Sequence, residues 1–333
     1  MSAPTFAKVA IVGAGAIGGW IGVHLARAGA QLSVLARGDT LAALQRQGLQ
    51  LHQGGQHHSA AVRASQDAAE LGVQDLVVVA VKAPALATVA AQIGPLLGPH
   101  TVVLTAMNGV PWWFLQGFGG PVQGRALHSI DPQGEIAHAI PAPHVVGCVV
   151  HASCSVDAPG VVRHHFGDGL IVGEPSGQAS ARVQALHALL HSAGFNATLS
   201  PQIQKDIWFK LWGNMTVNPI SALTGATSDR LLDDDLVRGF MSQVMLEAKA
   251  IGERIGIPIA QAPEDRHAVT RKLGAFKTSM LQDVQAGKPV ELDALVSSVR
   301  ELGALTGVAT PFTDALLGLS RLHARVLGLY PPK

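Results

Sequence analysis

The chain has 333 residues, enough for two domains at about 150 residues each, and 48% apolar against 14% charged residues give it a large core and exclude a disordered chain. A formal net charge of +1, from 24 basic and 23 acidic residues, removes any bulk electrostatic case for nucleic acid or an anionic membrane, and 5% aromatics leave no stacking platform for single strands. Two cysteines, Cys148 and Cys154, make no disulfide framework, so a reducing compartment and a cytoplasmic location are expected.

The first predicted element is a strand over residues 9–12, just after Lys8. Lys8 followed by an uncharged stretch to Val23 imitates a signal peptide, but glycines at 13, 15, 18, 19 and 22 serve an export helix poorly. They suit a dinucleotide loop. Gly13-Ala14-Gly15-Ala16-Ile17-Gly18 directly follows the strand and opens a helix predicted over residues 18–28. The first glycine allows the tight turn and the second lets backbone approach a pyrophosphate. The third lets the helix pack on the strand, with the helix N-terminus facing the phosphates. The context is what makes the pattern specific, because glycine is common in this chain, with 37 residues. After a second strand over 31–36, the first charged residue is Arg37, which suits a ribose 2′-phosphate and so favours NADP(H). Asp39 is expected to cap the next helix, around residues 40–44.

Further strands are predicted over 76–81, 101–104 and 145–150, with a helix over 84–93, and this alternation argues for a parallel sheet. None of these apolar runs approaches the roughly 20 residues a membrane span needs, so no membrane association is expected. Residues 126–173 then turn to short period-two segments, at 160–163 and 169–172, which suit antiparallel strands added at one edge. Beyond Pro201 only amphipathic helices are predicted, over 203–223, 232–255, 263–286, 292–306 and 311–326, with Gly256, Gly287 and Gly307 placed to end three of them. The reading is an α/β chain. A Rossmann-type dinucleotide-binding domain spans 1–200, and a helical substrate or dimerisation domain spans 201–333.

Within the helix 203–223, Lys210, Asn214 and Asn218 recur every four residues among Trp208, Phe209, Leu211 and Trp212. At 3.6 residues per turn they form one polar row. Asparagine is a poor helix former, so two of them on one row need a reason, a solvated face being the plain one. Lys82 and Asn108-Gly109 fall at strand ends on the edge where α/β proteins bind ligands. Glu291 stands at the start of a helix, and Ser279 lies twelve residues earlier on the preceding one. Each has an ordinary explanation, a turn for Asn-Gly and a helix dipole for Glu. Cys148, His151, Cys154, His164 and His165 match no standard zinc spacing, and no metal is expected.

Taken in order, the glycine loop, Val81-Lys82-Ala83, Asn108-Gly109, Lys210-Leu-Trp-Gly-Asn214 with Asn218-Pro219, and Ser279-Met-Leu-Gln-Asp283 followed by Glu291 make the chain resemble the ketopantoate reductase (2-dehydropantoate 2-reductase) family along essentially its whole length. The resemblance implies NADPH-dependent reduction of ketopantoate in a cleft between a Rossmann domain and a helical domain. It implies Lys210 as general acid, with Glu291, Asn214, Asn218 and Ser279 orienting and binding the substrate. Asn108 would touch both cofactor and substrate, Lys82 would lie near the nicotinamide, and Arg37 would meet the 2′-phosphate. A homodimer is a further expectation. Two departures stand out. Ser228 replaces an asparagine found in some members, and Val110-Pro-Trp112-Trp113-Phe114 is unusually aromatic. If those rings line the pocket, another branched or aromatic 2-oxo acid becomes the substrate; simple packing is the alternative. A dinucleotide-binding sensor without turnover is the rival outside enzymology, but it would have no need of an acid.

Overall fold

A computed structural model describes residues 5–332. Ten strands form one sheet: β1 (Lys8–Val12), β2 (Gln31–Leu35), β3 (Leu49–Gln53), β4 (Gln56–Ala60), β5 (Arg63–Ser65), β6 (Leu76–Val79), β7 (Val102–Thr105), β8 (Val145–Ala158), β9 (Val161–Gly173) and β10 (Asn196–Leu199). The set β5-β2-β1-β6-β7-β8 is parallel throughout. Its central members are Val/Ile/Leu runs buried on both faces, as a sheet covered by helices requires.

The predicted strand 76–81 stops at Val79, because the chain turns into a 3₁₀ helix at Ala83–Ala85 before the helix Leu86–Ile93. The two short segments expected at an edge are one strand, β9, and it is interior. It runs antiparallel to β8, while its first residues pair with β3 and its last with β10, both parallel. The hairpin is long enough, at 14 and 13 residues, to serve different neighbours at its two ends. The strands β3, β4, β5 and β10 were not expected; their sequences, such as Gln-His-His-Ser-Ala in β4, lack the apolar run of a buried strand.

By its internal contacts the chain divides into two compact units. The first comprises residues up to Met107, Gln116–Phe118 and Gln133–Asp206; the second comprises Asn108–Leu115, Gly119–Pro132 and everything from Ile207 onward. In the first unit the Glu174 carboxylate, 5% exposed, takes two charge-assisted bonds from Arg182, at 2.7 and 2.6 Å, and a third from the Ser180 hydroxyl. The helix Ile203–Thr224, in the second unit from Ile207 onward, matches the expected 203–223 to within one residue. Two other predicted helices are broken. Asp234 caps a new helix by accepting from Val237 N, dividing 232–255 into Ser228–Asp233 and Asp235–Arg254. Thr278 does the same for Leu281 N, dividing 263–286 into Pro263–Arg271 and Ser279–Gln285. The predicted 292–306 helix opens with a π-helical turn, Asp293–Ser297, before Ser298–Thr306. The helix Pro311–Val326 closes the unit, its first amides held by Glu247. Among the described residues no helix is long and apolar enough to cross a membrane.

Candidate active site

In the first unit, register aligns Val12 with Leu35 and Val79, and Val79 with Thr105, so β1, β2, β6 and β7 end on one line. The glycine loop leaves that line from β1, Arg37 from β2 and Lys82 from β6. Gly13 has φ +96°, and a Cβ there would fall 2.7 Å from Val81 Cγ1. A Cβ on Gly18 would lie 2.1 Å from the Gly13 carbonyl oxygen, so the helix Ala16–Arg27 can start against the loop only because residue 18 is glycine. Gly15 is different: it is exposed, with nothing within 4 Å of its missing Cβ. The helix has no side-chain cap and no acidic residue in its first turn. Its leading N–H groups with open space above Gly15 fit a pyrophosphate.

Arg37 is exposed and makes no ion pair among the described residues. Asp39 is not the cap of the second helix. That helix is Gly38–Gln47, the backbone of Arg37 occupies the cap position, and Asp39 lies in the first turn. The backbone bond from Leu41 N to the Arg37 carbonyl, at 3.4 Å, makes the helix begin earlier than the apolar pattern suggested.

The second unit gathers the polar row. Lys210 Nζ donates to Asn108 Oδ1 at 2.8 Å. Asn108 is held by its own loop: Val110 N donates to the Ala294 carbonyl at 2.8 Å, and Gly109, at φ +81°, lies against Ala294 so closely that a Cβ would come within 2.5 Å of that oxygen. Ala294 belongs to the π-helical turn that starts two residues after Glu291. A π-turn shifts the backbone bonding by one residue, a feature frequent at functional sites. It brings the Asn108 loop against the segment that carries Glu291. Glu291 itself is 6% exposed. No pattern in the sequence marks this turn.

Along the helix Ile203–Thr224, Lys210 and Asn214 are half-buried and Asn218 is 7% exposed, so the row is not a solvated face. Pro219 follows inside the helix and withholds the N–H that would bond the Met215 carbonyl. Ser279 is exposed at the first position of its helix. No hydrogen bond joins Ser279, Asn214 or Asn218 to the Lys210–Asn108 pair. Ser228 is fully buried, donating its hydroxyl to the Gly274 carbonyl at 2.8 Å while its N–H meets Phe276. It therefore pins the loop that leads to Ser279. Trp112, Trp113 and Phe114 are 5%, 1% and 0% exposed, and Phe114 packs on Trp208. They are packing.

Among the described residues no three His, Cys, Asp or Glu side chains converge in a metal-binding arrangement. Burial pushes the Cys154 thiol up to about 12, which makes it a poor ligand or nucleophile at neutral pH.

The model of the ketopantoate reductase PanE/ApbA family matches residues 9–177, and the model of its C-terminal region matches residues 202–324. A 2-dehydropantoate 2-reductase of Mesorhizobium japonicum is 47% identical over 324 residues, covering 97% of this chain and 99% of that one. A crystal structure of a protein assigned as a ketopantoate reductase from Ralstonia solanacearum MolK2 superposes with TM-score 0.95 at 59% identity, covering 98% of this chain and all of the other. A PanE/ApbA family ketopantoate reductase from Ralstonia eutropha JMP134 gives TM-score 0.82 at 27% identity, covering 96% and 99%. The chain belongs to the ketopantoate reductase PanE/ApbA family.

Proposed function

We propose that the chain reduces 2-dehydropantoate to pantoate with NADPH, using Lys210 as the proton donor. The Lys210–Asn108 bond carries the reading: a lysine fixed by an amide within a row that leads to a buried asparagine is an arrangement a mere fold does not need. The near full-length identity to a 2-dehydropantoate 2-reductase supports the substrate. Gly13, Ala14, Gly15, Ala16, Ile17 and Gly18 would hold the pyrophosphate, Arg37 the 2′-phosphate, and Lys82 and Asn108 the nicotinamide side. When bound, the dinucleotide supplies the hydride. An ammonium carries three hydrogens. One points at Asn108 Oδ1, which sets the direction of Nζ and lets it present another to the oxygen of the ketone as that oxygen gains charge. Asn214, Asn218, Ser279 and Glu291 would orient the substrate.

The direct test is turnover with NADPH and a panel of 2-oxo acids. A kcat/KM for 2-dehydropantoate of about 10⁴ M⁻¹s⁻¹ or more, above every other acid, is expected. Better turnover of a bulkier aromatic acid would overturn the substrate, and tight NADPH binding without turnover would favour a sensor. Burial of Trp113 and the packing of Phe114 on Trp208 argue against an aromatic pocket wall.

Cofactor choice has its own test. Arg37→Glu should raise the KM for NADPH about tenfold or more and leave that for NADH within about twofold, because the pairing with a 2′-phosphate turns into repulsion. Equal effects on both would remove Arg37 from the phosphate site.

A homodimer in the cytoplasm completes the proposal. Leu319, Leu322 and Val326 are 59%, 62% and 77% exposed on one side of the helix Pro311–Val326, an apolar row that a second copy would cover. Sedimentation of the wild type at micromolar concentration checks it, a monomer being the contrary result.

A further inference from the structure

Arg266 is an anomaly in the second unit. It lies on the helix Pro263–Arg271, and its guanidinium is packed over the Phe209 ring, 5.6 Å from the centroid. Its Nε is sealed from solvent and donates to nothing, and the side chain makes no ion pair among the described residues. Burial lowers its pKa and no carboxylate offsets that effect. A desolvated cation without a counter-ion is costly, and proteins pair or hydrogen-bond such groups.

The chain also makes room for this cation. Gly213 sits in the middle of the helix Ile203–Thr224, where glycine costs about 1 kcal/mol relative to alanine. A Cβ at Gly213 would meet Arg266 Nε at 2.4 Å and one terminal nitrogen at 2.8 Å. The guanidinium therefore rests on the bare backbone of that helix. Gly213 lies three residues after Lys210, so on the helix surface the seat of the cation neighbours Lys210, while Asn214 and Asn218 turn away from it.

We propose that Arg266 anchors the carboxylate of the 2-oxo acid, with Gly213 as the gap that admits it. The inference rests on the reductase reading. In a 2-oxo acid the carboxylate is bonded directly to the carbon that is reduced, so its anchor must stand beside the proton donor. A guanidinium is the group that fits a carboxylate with two parallel bonds. The missing counter-ion is then the substrate, and Arg266 discriminates acids from uncharged ketones.

The test compares the 2-oxo acid with its ethyl ester in the wild type, Arg266→Met, Arg266→Lys and Gly213→Ala, each full length. Wild-type turnover of the acid reports on the reductase reading before any variant is compared. Arg266→Met should then lower kcat/KM for the acid about 10²-fold, mainly through KM, and leave the ester within about threefold. Arg266→Lys should recover part of the loss. Gly213→Ala meets only the flexible end of Arg266, so the fold should keep its melting temperature while selectivity for the acid falls. Equal losses for acid and ester, or no loss for either, would overturn the anchor. So would a rise in the dissociation constant for NADPH with the acid KM unchanged.

Discussion

Lys210→Ala should lower kcat by about 10²–10⁴-fold, the usual contribution of a positioned general acid, while NADPH binding to the glycine loop stays within about twofold. The glycine loop and Arg37 belong to the first compact unit and Lys210 to the second, where the dinucleotide group bonded to it is Asn108. Loss of the bond to Asn108 Oδ1 adds a smaller cost, because that amide then lacks the donor that orients it. Lys210→Arg separates charge from proton donation. A guanidinium keeps the positive charge and can still reach Asn108, but it holds its proton far more tightly than an ammonium and is a poor acid at neutral pH. KM should therefore recover in Lys210→Arg while kcat stays low. Unchanged turnover in Lys210→Ala would remove the residue from the chemistry.

What the sequence reveals of this site is what repeats locally. The glycine loop is legible because turn, phosphate approach and helix packing fall within six consecutive residues, Gly13 to Gly18. The row Lys210, Asn214 and Asn218 is legible because helical periodicity places polar residues on one line among tryptophans. The helix breaks at Asp234 and Thr278 were missed: both are good cap residues, but the apolar periodicity runs on through them and hides the interruption. The rest depends on residues far apart in the chain. Nothing near Gly109 says that Ala294 will lie against it, and nothing near Gly213 announces Arg266. The polar strand β3 forms on the edge that β9 offers, and β4 in turn pairs with β3. Ser228 is the opposite case. It departs from a motif, yet its buried bond to Gly274 gives it a structural role no alternation of residues displays.

Gly109→Ala should be the most damaging single-methyl change in the second unit. Two effects act together. The backbone there has φ +81°, which costs an L-residue about 1–3 kcal/mol. The added Cβ would also lie 2.5 Å from the Ala294 carbonyl oxygen and 2.6 Å from its Cβ, and the carbonyl is backbone that cannot rotate away. The loop has to lift, which breaks the 2.8 Å bond from Val110 N and carries Asn108 off Lys210 Nζ. A displacement near 1 Å is enough to lose about 10²-fold in rate, so kcat/KM should fall by that order, with stability reduced by about 2–4 kcal/mol. Asn108→Ala should match the kinetic loss without the loss of stability, since Gly109 and its contact stay in place. The double variant decides whether the loop acts through Asn108. If it does, the two kinetic effects are not additive, and the double is no slower than the slower single variant. Multiplied effects would show that Gly109 serves the reaction by another route, through the π-helical turn and Glu291.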